Sequence, residues 1–367
     1  MRGGNFRIRL LSPATADQQR RHAAQLGQIA DEWQCWPASR TSGASMWRRW
    51  PLLASRLPLA VASDRSSAGV SAVAQALARR PHVAVFDFLH STVLAQGRLD
   101  VPSLLFTHNV EAEIVERHLQ HSKQWWKKAL WRSQLGKMRR FESEALRRFD
   151  LVIAVSTRDA ARFKSDYGAE HVAVIPTGVD LDYFNYVPSE SNGCVVFTGS
   201  MDWLANIDAI RWFGAEVWPK IKVGYAAATM TVVGRNPPAD LLNHASMMDW
   251  TITGRVDDVR PYVQRAAVYV IPLRIGGGTR IKAFEAMAMG VPVVSTTVGM
   301  EGLGVEPGQH YLQADTAAQF AQAVVSLLSR PEQGRALSEQ ARRHVEQRYS
   351  NANVARAFER ICEKAMQ

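Results

Sequence analysis

Apolar positions along the chain gather into short runs rich in β-branched residues, and longer amphipathic stretches lie between them. Runs of this kind read as strands covered on both faces, and the stretches between them read as helices. In the first half the pattern predicts strands at Phe6–Leu11, Val83–Phe88, Pro102–Thr107, Leu151–Val155 and Val172–Ile175. In the second half it predicts strands at Val195–Thr198, Ala226–Val233, Trp250–Gly254, Ala267–Leu273 and Val291–Ser295. Predicted helices occupy Thr15–Trp33, Ser67–Ala78, Glu113–Arg148 with breaks near Ser122 and Gly136, Asn206–Trp218, Val259–Ala266 and Arg280–Met289. Three more close the chain at Thr316–Leu328, Pro331–Arg348 and Asn351–Gln367, while residues 36–64 read as irregular. Strands alternating with helices through both halves predict two doubly wound α/β domains. The chain of 367 residues is long enough for both, and YVPSESNG at 186–193 reads as a linker.

The stretch 267–303 carries the most chemistry. A buried strand runs into Gly276, Gly277 and Gly278, Thr279 is placed as a helix N-cap, and Arg280 opens the helix. A glycine loop that opens a helix attracts anions, because free N–H groups and the helix dipole point the same way. Arg280 and Lys282 add two cations at that end. No Lys-Ser/Thr follows the last glycine, and three consecutive glycines miss the G-x-G-x-x-G spacing, so neither a Walker loop nor a dinucleotide loop is indicated. Ile281, Phe284 and Ala288 form the apolar stripe, which leaves Lys282 and Glu285 on another face. That pair is either a wet surface pair or a carboxylate for ribose hydroxyls beside a cation for phosphate.

Composition narrows the compartment. Hydrophobic residues make up 47% and charged residues 21%, a globular balance. Cys35, Cys194 and Cys362 lie far apart with no metal or redox spacing, which suits a reducing cytoplasm. No apolar run approaches the roughly 20 residues needed to span a bilayer, and MRGGNFRIRLL has no signal-peptide core. The net charge of +10 is uneven: residues 116–148 hold ten Lys or Arg against three Asp or Glu. Lys123, Trp125, Trp126, Lys127, Lys128, Trp131 and Arg132 combine rings with cations, as residues at an anionic membrane interface do. A solvated helix face is the plainer alternative. Stacking on single-stranded bases is weaker still, since no RNA-recognition or helix-turn-helix pattern appears, and no nucleic-acid partner is expected.

The run PLRIGGGTRIKAFEAMAMGVPVVST resembles the donor-binding loop and helix of glycosyltransferase family 4, enzymes of the GT-B fold. Glu285 matches the second of two family glutamates spaced eight apart, and Gly277 stands at the first. The GGGTR form resembles a branch of polysaccharide-biosynthesis sugar transferases. His108-Asn-Val-Glu111, just past a strand, matches a family segment whose histidine contacts the donor sugar. Pro176-Thr-Gly-Val-Asp180 with Phe184 also resembles a family segment. GSMDW at 199–203, with Asn206, replaces a family Lys-Gly pair, so backbone N–H groups of Gly199 and Ser200 are expected at phosphate. The resemblance places the base near the backbone of Val256, and Asp258 reads as a helix N-cap.

The resemblance implies two Rossmann-like domains facing a central cleft, with the first strand and helix of the first domain absent. The expected division is 1–188 for the acceptor side, 189–350 for the nucleotide-sugar side, and 351–367 for a helix crossing back. It further implies metal-independent, retaining transfer, without a cofactor, from a UDP- or GDP-linked sugar to a glycan or lipid-linked acceptor. The setting would be the cytoplasmic face of a membrane. Arg280 and Lys282 would stabilise the leaving diphosphate, Glu285 would hold the ribose, and His108 would position the sugar. Two alternatives remain: a sugar-nucleotide epimerase of the same fold, and an inactive relative that binds nucleotide or membrane.

Overall fold

A computed structural model describes residues 6–37, 50–122, 124–187, 193–248, 250–275 and 281–367. The chain divides into two compact units, Met1–Ile175 with Ala355–Gln367, and Pro176–Val354.

In the first unit, β1 (Arg9–Pro13) and β2 (Glu32–Trp36) form a two-stranded parallel sheet, with Leu10 opposite Trp33. β3 (Ala84–Asp87), β4 (Ser103–Phe106), β5 (Leu151–Ala154) and β6 (Val172–Val174) form a separate four-stranded parallel sheet in that order. Parallel neighbours require crossover connections, and helices supply them. The core gathers Phe86, Leu105, Val152 and Phe163 with Leu135, Met138, Phe141 and Leu146 of the helix Trp125–Arg148. That helix passes through Gly136 without the expected break. Its buried side keeps it helical at a residue that costs a helix about 1 kcal/mol relative to alanine.

The helix expected over Thr15–Trp33 spans only Ala16–Ile29, opened by a Thr15–Gln18 capping box. It stops because Ala30 turns extended and Asp31 bonds to the residue just before β1: its N–H donates to the Ile8 carbonyl at 2.9 Å, and its carboxylate accepts from the Ile8 N–H at 2.7 Å. The chain then continues as β2. Within 36–64, expected to be irregular, Trp36 closes β2 and Leu59–Asp64 is helical, while 38–49 lie outside the described residues.

The second unit has one parallel sheet. Its strands are β7 (Cys194–Thr198), β8 (Thr229–Val233), β9 (Trp250–Ile252), β10 (Val268–Ile271), β11 (Val293–Ser295) and β12 (Leu312–Gln313), ordered β12-β11-β10-β7-β8-β9. Phe213, Trp218 and Phe320 belong to one core cluster, and Phe284, Met287 and Val345 to another. The helix expected to end at Trp218 is three pieces: Leu204–Trp212, a π-helical turn Phe213–Val217, and Trp218–Gly224. The wide turn falls just before Pro219, which has no N–H for the ladder. Val179 is tied to the end of the unit, donating to the Tyr349 carbonyl at 2.7 Å and accepting from the Asn351 N–H at 3.0 Å. Gly178 allows this approach, since a Cβ there would meet Asn351 Oδ1 at 2.5 Å.

Candidate active site

In the second unit the polar groups collect at the carboxyl ends of β7 and β8. Lys282, from the helix Ile281–Ala288, reaches the end of β7, where its Nζ donates to the Thr198 carbonyl at 3.0 Å and lies 3.4 Å from Asn206 Oδ1. The ammonium also sits 4.3 Å from the centre of the Phe197 ring. Buried Asn206 donates in turn to the Ser200 carbonyl at 2.8 Å, which stitches the loop after β7 to the helix behind it. Glu285 lies one turn beyond Lys282. Burial pushes its carboxyl above the usual range, and the Lys282 ammonium opposes that shift.

The loops after β7 and β8 touch. A Cβ on Gly234 would overlap the Gly199 carbonyl oxygen, so only glycine lets the two backbones cross. Asp202 joins them, 2.9 Å from Arg235 Nε and accepting from Asn236 Nδ2 at 2.7 Å. Asn236, Ser200 and Arg235 together hold Asp202 below the usual carboxylate range. The Gly199 N–H donates to the Val233 carbonyl at 2.9 Å, so the backbone donor expected at phosphate is the last rung of the β7–β8 ladder instead. Ser200 accepts from Arg235 Nε at 3.1 Å through its hydroxyl. Further along, Val256 lines an open cavity of about 500 Å³ with Arg255, Asp257, Tyr262 and Arg265. The N-cap of the helix Arg260–Gln264 is Val259 rather than the expected Asp258, which lies one residue earlier, accepts from the Arg260 N–H at 2.9 Å and grips its guanidinium at 2.7 Å.

In the first unit the carboxyl ends of β3 and β4 bear a second group. His108 Nε2 lies 2.6 Å from Asp87 Oδ1. His90 sits between Asp64 Oδ2, 3.0 Å from its Nδ1, and Glu111 Oε2, 3.7 Å from its Nε2. Burial raises the Glu111 carboxyl, against the opposing pull of His90. Glu142, fully buried, caps the helix Glu111–His121 from a neighbouring helix by accepting from the Glu111 N–H at 2.8 Å. Burial pushes its carboxyl up to about 7.

Comparison with known proteins accounts for both halves. The model for Glycosyltransferase Family 4 matches residues 5–183, and that for Glycosyl transferases group 1 matches residues 192–330. The chain belongs to glycosyltransferase family 4. Its fold is shared with sucrose-phosphate synthase from Thermosynechococcus elongatus, at a TM-score of 0.69 and 18% identity over 98% of this chain and 99% of that one. HepE from Anabaena, solved in complex with UDP, gives a TM-score of 0.65 at 14% identity over 98% and 100% of the two chains. Solved with UDP-glucose, HepE gives 0.56 at 15% identity over 96% and 99%. An uncharacterized 44.6 kDa protein in the cps region of Klebsiella pneumoniae is 21% identical over 251 residues. That match takes in 65% of this chain and 63% of the relative's length.

The protein is thus a glycosyltransferase of the GT-B fold. Of the residues read from its sequence, Lys282 and Glu285 come together at the end of β7, and His108 stands at the end of β4. Gly276, Gly277, Gly278, Thr279 and Arg280 lie outside the described residues, as does Lys123. The sequence reading missed Asp202 with Arg235, and Asp87 as the partner of His108. The signal was there, since each polar residue sits just past or at the end of an apolar run. The expected membrane patch of this glycosyltransferase divides. Trp125 is 81% exposed and Trp126 47%, with Lys127 over the Trp126 ring, and Lys128 and Arg132 are exposed. Trp131 instead stacks on His118 at 4.7 Å and packs against the core. Among the described residues no helix is long and apolar enough to cross a membrane.

Proposed function

We propose that this glycosyltransferase moves a sugar from a nucleotide-sugar donor to a glycan or lipid-linked acceptor in polysaccharide biosynthesis. The observation that carries the reading is the helix Ile281–Ala288, which brings a cation and a half-buried carboxylate to the carboxyl end of β7. Lys282, with Arg280, would offset the charge growing on the departing diphosphate. Glu285 would accept hydrogen bonds from the two ribose hydroxyls, and the cavity beside Val256 would take the base. The Gly199–Gly234 crossing fixes the floor on which phosphate would lie. Transfer in this reading is retaining and needs no metal, as the family resemblance implies.

HepE, solved with UDP and with UDP-glucose, supports a uridine-linked donor. The Klebsiella relative's place in a cps region supports a polysaccharide product. The exposed Trp125, Trp126, Lys127, Lys128 and Arg132 support peripheral attachment to the inner face of an anionic membrane, which would bring the enzyme to a lipid-linked acceptor.

Incubation with UDP-, GDP- and ADP-sugars tests the reaction. Free nucleotide is the expected product. An isomerised donor would show an epimerase instead, and an unchanged donor throughout would show an inactive binding protein.

A further inference from the structure

Around His108, which the family resemblance assigns to the donor sugar, the first unit gathers side chains that this reading does not use. Asp87 ends β3, and Phe88 follows with φ at +76°, a region that a phenylalanine enters only under strain. The Phe88 N–H donates to the Phe106 carbonyl at 2.8 Å, which fixes the strained residue in place. Its ring lies 4.7 Å from that of His90 and 6.0 Å from that of His108, and Phe106 stands 5.0 Å from His108 on the neighbouring strand. His108 is therefore seated among aromatic rings with Asp87 on its Nε2 at 2.6 Å. The pair is open to solvent, with the His108 side chain 45% and the Asp87 side chain 76% exposed, so a ligand can reach the imidazole. Strain of this kind gathers where a fold must aim a side chain, and the carboxyl ends of parallel strands are where such folds take ligands.

An ionised carboxylate only accepts hydrogen bonds, so the bond to Asp87 requires the proton on His108 Nε2. A neutral imidazole in that tautomer presents a lone pair at Nδ1. Behind the pair, His90 is held the opposite way round, by its Nδ1 on Asp64. We propose that Asp87 is a positioning residue: it holds His108 as the Nε2–H tautomer, so that Nδ1 accepts a hydrogen bond from a hydroxyl of a bound sugar. The choice of a sugar as ligand rests on the transferase reading given above, whereas the tautomer rests on the geometry alone.

Two measurements on the full chain test this. Histidine nitrogen NMR, with the His108 signals identified by their loss in His108→Gln, should show the proton on Nε2; a proton on Nδ1 overturns the proposal. Nucleotide release from UDP-glucose should then separate positioning from mere packing. Asp87→Ala should lower kcat by about 10- to 100-fold, the range for losing a hydrogen bond to a charged group, with the KM for UDP-glucose nearly unchanged. In a His108→Ala background the same substitution should change kcat by less than about twofold, because its effect passes through the missing ring. An equal loss in both backgrounds contradicts the proposal. If the wild type releases no nucleotide, the UDP-glucose donor is wrong, and the tautomer alone decides the Asp87–His108 assignment.

Discussion

The two units are built from the same alternation of parallel strands and helices, yet they bury it differently. In the second unit β10 is buried at every position and β7 at all but its first, in the middle of one six-stranded sheet. In the first unit the strands fall into a pair and a four-stranded sheet. The helix Ala16–Ile29 beside the pair buries no residue, β1 is only half-buried, and Ile29 and Trp33 are exposed. A parallel sheet draws its stability from cover on both faces. Where cover is complete, the fold can hold Lys282 and Glu285 half-buried at the strand ends. Where it is thin, hydrogen bonds and the Thr15–Gln18 capping box hold the chain, and little apolar area is at stake.

Substitutions should expose that contrast, the largest first. Phe213→Ala, at a wholly buried ring, should cost about 3–5 kcal/mol, whereas Trp33→Ala on β2 should cost under about 1 kcal/mol. Denaturant unfolding of both variants measures the difference, and equal losses would erase it. Gly234→Ala should cost about 1–3 kcal/mol by forcing the loop off the Gly199 carbonyl, with a matching fall in Tm. A variant as stable as wild type would mean that the two loops do not cross as described.

The units should also respond oppositely to pH. Burial raises Glu142 from its ordinary 4.5 to about 7, so its contribution is complete below the unfolded value and is lost as pH rises through the folded one. In the second unit burial holds His310 and His344 below the ordinary 6.5, so their contribution is complete above that value and is lost as pH falls. Melting curves across this range should show Glu142→Gln removing only the loss on the alkaline side. A wild-type profile in that variant would show that Glu142 does not titrate there. The smallest stability effect belongs to Lys127→Gln with Lys128→Gln, within about 0.5 kcal/mol at exposed positions. Flotation with anionic vesicles should nonetheless fall, and unchanged binding would make the patch a solvated face.

The same contrast explains what the sequence disclosed. Runs such as VVFT, VYVI and VVS read directly as strands because burial on both faces leaves them continuously apolar. EWQCW at 32–36 did not, because a half-exposed strand keeps polar residues and extends the pattern of the helix before it. The break expected at Gly136 failed for a related reason, since tertiary packing outweighs a single weak helix former. Lys282 and Glu285 were legible as a polar face on an apolar helix. The Asp87–His108 pair was not, because its members come from different strands and meet only through the register of β3 with β4.

In the proposed reading, the second unit holds a nucleotide through Lys282 and Glu285. Calorimetric titration of UDP into wild type and Glu285→Gln tests it most directly. Wild type should bind UDP, and the variant, with an unchanged Tm, should bind about 10- to 100-fold more weakly through the loss of hydrogen bonds to a charged group. Equal dissociation constants, or a wild type that does not bind UDP, would contradict it.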